Sequence, residues 1–307
     1  MREELIGQLK TITDPANVRM NENMSAHTTF KVGGCADIFV TPQNLKEATE
    51  IVRLLLTHEY PYTVIGNGSN IIVTDEGYRG CIICMGSGED DIAVSENVIK
   101  AGAGAMLSKV AKTAYDNNLT GLEFASGIPG SVGGAVVMNA GAYGGEIKDV
   151  ASFVTLFDTV TKKTVTKTAD EMHFGYRTSI VKEHPYVVLE AEFRLTLGIR
   201  EEIKATMDDL ASRRRDKQPL EYPSAGSTFK RPEGYFAAKL IEDAGLKGYS
   251  EGGAMVSEKH SGFVINTGNA TATDVLKLIK TVREKVYEKF NVMLETEVVI
   301  LGEEGIG

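Results

Sequence analysis

The chain has 307 residues, 42% hydrophobic and 24% charged, with a formal net charge of −9. At about 150 residues per domain this is roughly a two-domain length. The acidic balance argues against general nucleic-acid or anionic-membrane binding. Three cysteines and no run approaching 18 apolar residues argue against a disulfide scaffold and a membrane span. Residues 1–7 lack the apolar core of a signal peptide, and the small, odd cysteine count makes the cytoplasm the expected location.

Residues 1–20 read as a helix followed by a loop, and 28–40 as an extended stretch broken by Gly33 and Gly34. Leu45, Ala48, Ile51, Val52 and Leu55 fall at helical spacing and predict a helix over 45–58. Strands are expected at 62–65 and 71–74, flanking Gly66-Asn67-Gly68-Ser69-Asn70, and again at 81–84 and 98–100. A short helix is expected over 107–117, a hairpin from 153–157 and 163–167, and a strand over 186–195. The composition shifts near residue 200. A charged helix over 200–217 carries Arg213, Arg214, Arg215 and Lys217, and Pro219 and Pro223 mark a linker. Beyond it come a helix over 237–244, a strand over 262–266, a helix over 274–290 capped by Thr273/Asp274, and a strand over 293–301. The layout is an α+β cofactor module to about 212, then a smaller α+β module.

Two glycine segments carry the main signal. In residues 66–70, glycine allows positive φ and lets backbone N–H groups converge on an anion, with Ser69 and Asn70 adding donors. No Lys-Ser/Thr pair follows, so this is not a P-loop. The competing reading is a plain tight hairpin. In residues 121–145, eight of the chain's 32 glycines are gathered, with Glu123 as the sole charge. Such a neutral loop suits close backbone approach to a flat or phosphorylated ligand without cationic help. Between these segments, 98–107 imitates a strand, G-x-G and helix. Its third glycine position is Leu107, so the dinucleotide fingerprint is incomplete and is rejected.

Three further motifs suggest chemistry. Arg177, in Phe174-Gly-Tyr-Arg-Thr-Ser179, suits a carboxylate or a developing enolate, against the alternative of a surface arginine on a turn. Ser227 follows Gly226 at an expected turn. The absence of a G-x-S-x-G elbow argues against a nucleophile but leaves a proton donor open. Glu295 and Glu297, two apart, share a face if their segment is a strand, against two solvated edge carboxylates. Cys81 and Cys84, three apart on a strand, would face opposite sides, which argues against a redox or zinc pair. The five histidines show no metal-ligand spacing, and no metal is expected. The 213–217 basic run reads as a solvated helix face, with pyrophosphate binding as its alternative.

In order along the chain, 23–34, 66–70, 125–134, 139–143, 176–179, 225–230 and 294–297 together resemble the UDP-N-acetylenolpyruvoylglucosamine reductase (MurB) flavoenzyme family. The resemblance implies an α+β fold with an FAD-binding domain of the PCMH/vanillyl-alcohol-oxidase type. That domain has two α+β lobes, 1–80 joined by 298–307 and 81–212. A C-terminal α+β substrate-binding domain covers 213–297. It implies a cytoplasmic, NADPH-dependent and FAD-mediated oxidoreductase, a UDP-N-acetylmuramate dehydrogenase of peptidoglycan synthesis. Its partner is the small substrate UDP-N-acetylglucosamine enolpyruvate, and a monomer is expected. Arg177, Ser227 and Glu297 match the family's enolate-stabilising arginine, proton donor and tail carboxylate. Thr29, Gly66, Asn67, Gly68, Ser69, Asn70, Ser126, Gly127, Pro129, Gly130, Ser131, Gly133, Gly134, Ala140, Gly141, Ala142 and Tyr143 are expected to contact the cofactor. Neither main loop contains histidine, so the flavin is expected to be non-covalent. Tyr176, Lys217 and Lys230 are expected substrate contacts. Only 50 positions separate Arg177 from Ser227 (227 − 177), which resembles the short family type without the tyrosine-bearing loop. The alternatives are an FAD-dependent alcohol or lactone oxidase of the same fold class and a non-catalytic nucleotide-sugar binding protein.

Overall fold

The computed structural model describes residues 2–86 and 92–302. Met1, 87–91 and 303–307, which the sequence-based lobe boundaries include, lie outside the described residues. Internal contacts divide the chain into two compact units. One comprises Met1–Met20, Ile38–Asn67 and Gly80–Arg213, and the other Asn21–Asp37, Gly68–Arg79 and Arg214–Gly307.

The first unit is built on a five-stranded antiparallel sheet in the order Lys163–Thr168, Ala151–Asp158, Tyr186–Arg194, Val98–Gly102, Ile92–Ser95. The predicted 153–157/163–167 hairpin forms its edge, with Phe157 opposite Thr164. Helix Leu45–Thr57 buries Ala48, Ile51, Val52 and Leu55, the stripe its spacing predicts. The Asn44 side chain caps it by accepting the Glu47 N–H. Helix Leu107–Asp116 buries Leu107, Val110, Ala111 and Ala114 in the same way. Helix Arg200–Lys217 buries only Ile203. It is a solvated helix carrying i,i+4 ion pairs, Lys204–Asp208 and Asp209–Arg213. The solvated-face reading of its basic run therefore stands for Arg213.

The second unit packs helix Ala272–Phe290 on a three-stranded antiparallel sheet ordered Ser250–Glu251, Ala254–Val256, Val264–Asn266. Val275, Leu278, Ile279, Val282 and Val286 form the buried stripe of that helix. Its N-cap is Thr271, not the Thr273/Asp274 pair expected from sequence. Asp274 is instead the third helical residue of a capping box. Asp75 supplies a further cap, accepting from the N–H groups of Ala272 and Thr273.

Several expectations are corrected. A strand at Val18–Asn23 occupies part of the expected loop, and only Cys35–Val40 of the 28–40 stretch is a strand. A helix, Val132–Met138, lies inside what was read as a continuous glycine loop. The tail strand is shortened to Val299–Leu301.

The topology around residues 66–70 decides between the two readings of that segment. Tyr62–Ile65 pairs in parallel with the 81–84 portion of Tyr78–Cys84. Ile71–Val73 pairs in parallel with Val299–Leu301, in a separate two-stranded sheet. The two strands flanking Gly66 to Asn70 thus belong to different sheets, and the hairpin reading is excluded.

Cys81 and Cys84 both lie on Tyr78–Cys84. Burial pushes the Cys81 thiol up to about 12 and also raises that of Cys84. Cys35 is exposed. A thiol reagent at pH 8 is expected to titrate Cys35 quickly and Cys81 only after denaturation. Rapid modification of Cys81 in the native protein would contradict this packing. Among the described residues, no helix is long and apolar enough to cross a membrane.

Candidate functional site

The first unit joins the start of one glycine segment to the middle of the other. The Asn67 side-chain amide donates to the Pro129 carbonyl at 2.5 Å. Gly66 sits so close to Ser131 that an added Cβ would lie 1.9 Å from its hydroxyl oxygen. Ser131 in turn caps helix Val132–Met138 by accepting the Gly134 N–H. Gly68 has φ +61°, and a Cβ there would lie 2.0 Å from the His27 carbonyl oxygen. Only glycine fits that conformation and that space. Among the described residues, the N–H groups of 66–70 donate to no backbone carbonyl. Glu123 is consumed locally, accepting from Thr120 Oγ1 and the Gly121 N–H. The 66–70 backbone, in a stretch without a charged side chain, thus keeps N–H donors that no backbone carbonyl takes among the described residues.

The rejected 98–107 segment has a structural use. The Gly133 N–H donates to the Ala103 carbonyl, the Val132 N–H to that of Ala105, and the Leu107 N–H to that of Gly130. The approach depends on glycine at 133, where an added Cβ would lie 3.0 Å from that of Ala103.

A second arrangement in the same unit surrounds Arg177. Gly175 and Thr178 exchange backbone hydrogen bonds across a tight turn with Tyr176 and Arg177 at its tip. Arg177 has φ +56°, a conformation that costs a non-glycine residue about 1–2 kcal/mol. Its guanidinium donates to the Gly141 carbonyl at 3.3 Å and stacks on Tyr176 at 5.2 Å. A cavity of about 450 Å³ is lined by residues 141–146, Lys148, Asp149, Tyr176 and Arg177. Thus the predicted contacts Gly141, Ala142 and Tyr143 line a cavity with Arg177 and Tyr176. The surface-arginine reading does not account for a half-buried guanidinium fixed in this way.

Three residues of this arrangement were missed. Asn139 is fully buried and Glu146 accepts from it at 3.0 Å, while Lys148 pairs with Glu146 at 2.7 Å. The signal lay in and next to the motifs, since Asn139 opens the 139–143 motif and Glu146 directly follows the neutral segment. The Lys148 hydrogen bond holds the Glu146 carboxyl below its ordinary value, with the Asn139 amide and the charges of Lys148 and Arg177 adding to it. A depressed carboxyl stabilises the fold fully above its ordinary value of 4.5 and loses that contribution as pH falls through the lowered value. Melting temperature measured from pH 6 to 3 should therefore fall less steeply in Glu146→Gln than in the wild type. Parallel curves would show that the carboxylate contributes nothing there.

The second unit brings Ser227, Lys230 and Glu297 together. Segment 228–230 pairs with 295–297. The Lys230 N–H donates to the Glu295 carbonyl, the Glu297 N–H to that of Thr228, and Phe229 faces Thr296. Ser227 is exposed one position before this pairing, after Gly226 at φ +75°. Glu295 is the exposed carboxylate and pairs with Lys230 at 2.9 Å, while Glu297 is half-buried. The solvated-edge reading therefore suits Glu295 but not Glu297. Asn70 donates to the Glu297 carbonyl at 3.2 Å, which ties the first glycine segment to the tail. Thr29 donates to the Ser224 carbonyl at 2.7 Å, and its N–H reaches the Gly68 carbonyl. Lys217 is exposed at the end of its helix, and no hydrogen bond or ion pair places it beside Lys230.

The α+β frame is that of an FAD-binding protein: residues 36–168 match the family model described as an FAD binding domain. Residues 218–301 match that of the UDP-N-acetylenolpyruvoylglucosamine reductase C-terminal domain. The chain is similar to the UDP-N-acetylenolpyruvoylglucosamine reductase of Agathobacter rectalis, 54% identical over 92% of this chain and 93% of the relative. That of Caldanaerobacter subterraneus is 50% identical over 99% of this chain and 100% of the relative. The crystal structure of UDP-N-acetylenolpyruvylglucosamine reductase (MurB) from Thermus caldophilus superposes with a TM-score of 0.79 at 34% identity, covering 93% of this chain and 98% of that one. The chain belongs to the UDP-N-acetylenolpyruvoylglucosamine reductase family.

The residues present fit a cofactor pyrophosphate: glycine at 66 and 68 permits backbone approaches that a Cβ would block, and the 66–70 N–H groups donate to no backbone carbonyl among the described residues.

Proposed function

We infer that this chain reduces the enolpyruvyl group of UDP-N-acetylglucosamine enolpyruvate to give UDP-N-acetylmuramate for peptidoglycan synthesis. NADPH is the reductant and FAD the bound cofactor. The observation that carries the reading is the junction of the two glycine segments at Gly66/Ser131 and Asn67/Pro129, within a chain about half identical to named reductases. The enzyme works in the cytoplasm as a monomer, and residues 213–297 form its substrate-binding part.

Bound FAD supplies the two-electron relay from NADPH to the carbon–carbon double bond. The residues do the rest. Backbone N–H groups of 66–70, with those of Gly127, Gly130 and Ser131 in the 126–134 segment, would bind the pyrophosphate without cations. Arg177 holds a fixed positive charge against the negative charge that develops beside the substrate carboxylate. A preorganised donor of this kind is usually the largest catalytic contribution. Ser227 Oγ–H gives its proton to the carbon bearing that carboxylate. Glu297 acts while protonated or sharing a hydrogen bond, because a bare carboxylate would oppose the developing enolate. Tyr176, Lys217 and Lys230 contact the substrate.

Anaerobic titration tests the reading. NADPH should bleach the flavin band, and UDP-N-acetylglucosamine enolpyruvate should restore it. A colourless holoprotein preparation, or a flavin that NADPH does not bleach, would turn the case toward the nucleotide-sugar binder or the oxidase.

A further inference from the structure

We propose that Asn139 is the positioning residue for Arg177. This rests on the functional reading above only in taking Arg177 as the charge that meets the substrate carboxylate. Asn139 is fully buried, with all the polar capacity of its amide nitrogen in use. That nitrogen donates at 3.0 Å to the Gly175 carbonyl and at 3.0 Å to Glu146 Oε2, while the amide oxygen accepts the Lys148 N–H at 2.9 Å. Gly175 opens the turn that carries Arg177, and the Arg177 guanidinium returns to the carbonyl of Gly141, two residues beyond Asn139. The contacts close a ring: Asn139 to Gly175, along the turn to Arg177, across to Gly141, and back along the chain.

Two features make asparagine the suitable residue. It has φ +42° and ψ +57°, a left-handed conformation that asparagine tolerates better than most side chains. It also offers two donors and an acceptor on one planar group, which the three partners require. Aspartate would keep the acceptor, lose both donors and set a second carboxylate beside Glu146. Without the Asn139 bonds, the Arg177 turn keeps its internal Gly175–Thr178 pairing and the Ser179 hydroxyl bond to the Val137 carbonyl, but its Gly175 end loses its fastening to the 139–148 segment, leaving the long Arg177–Gly141 contact unsupported from that side. The guanidinium then loses its fixed station over the cavity. Asn139 does not itself need to touch substrate. It acts by removing the freedom of a strained arginine.

The decisive variant is Asn139→Gly, which keeps the left-handed backbone and deletes only the amide. In the FAD-loaded enzyme, reduction by NADPH is expected to stay within twofold of wild type. Reoxidation at saturating enolpyruvyl sugar is expected to fall at least tenfold, with a smaller change in the substrate concentration for half-saturation. In an Arg177→Ala background, Asn139→Gly should add no further loss, because residues acting as one unit are non-additive. Losses that multiply in the double variant, or no loss in the single one, overturn the proposal. A crystal structure of Asn139→Gly decides independently of activity. Arg177 should have left the Gly141 carbonyl, and an unmoved guanidinium overturns the inference. If the wild type itself is not reoxidised by the enolpyruvyl sugar, the functional reading fails, and the crystal structure alone still decides the positioning role.

Discussion

Ser227→Ala is expected to leave NADPH bleaching of the flavin nearly intact while slowing reoxidation by the enolpyruvyl sugar about 10²–10⁴-fold, the usual worth of a positioned general acid. Ser227 is exposed at the start of the 228–230/295–297 pairing and outside the glycine segments expected to hold the cofactor. Ser227 makes no hydrogen bond that props the fold, unlike its neighbour Thr228, whose hydroxyl accepts the buried Val264 N–H at 3.0 Å. Thr228→Ala therefore serves as the contrast. It should lower thermal stability, by about 1 kcal/mol for the orphaned N–H, whereas Ser227→Ala should melt like wild type. Stopped-flow traces of both half-reactions check the prediction. Equal reoxidation rates in Ser227→Ala and wild type would remove Ser227 from the chemistry.

Gly66→Ala should yield a protein with little bound flavin. The new methyl would fall on the Ser131 hydroxyl, so either the 66–67 segment retreats from 129–131 or Ser131 gives up its helix cap. Loss of a serine cap alone costs about 1 kcal/mol, and retreat of the loop displaces the 66–70 N–H donors. The expected readings are a flavin dissociation constant raised at least tenfold and a lower melting temperature. The paired change Ser131→Gly should restore part of the flavin affinity by clearing the collision. A Gly66→Ala protein that retains full flavin occupancy would show that this contact does not shape the cofactor site.

Much of the site was legible in the sequence because its chemistry rests on residue types with few other uses. Glycines at 66, 68, 133 and 134 in a neutral setting announce backbone binding, and Arg177 and Ser227 stand beside turn residues. Helix 45–57 was equally readable, since a four-residue buried stripe with an asparagine cap leaves little else for it to be. Other features depended on partners remote in sequence. Strand Ile71–Val73 reads the same whether it folds back on 62–65 or pairs with Val299–Leu301, so period alone does not give its sheet. Helix Val132–Met138 was hidden by two glycines of poor helix propensity. It forms because Ser131 caps it and residues 103–107 hold its start. Asn139 was passed over because its worth lies in Gly175, Glu146 and Lys148, none of them near enough in the chain to suggest a ring.

The pairing of Ile71–Val73 with Val299–Leu301, reinforced by the Asn70–Glu297 bond, bears on biosynthesis. Contacts so distant along the polypeptide form slowly, after the loop entropy between them has been overcome. On the ribosome, the edge of residues 71–73 waits without its partner until translation has passed residue 301. A nascent chain stalled before Glu297 is expected to expose that edge to chaperones or proteases, so completion of this small sheet is a late step of folding.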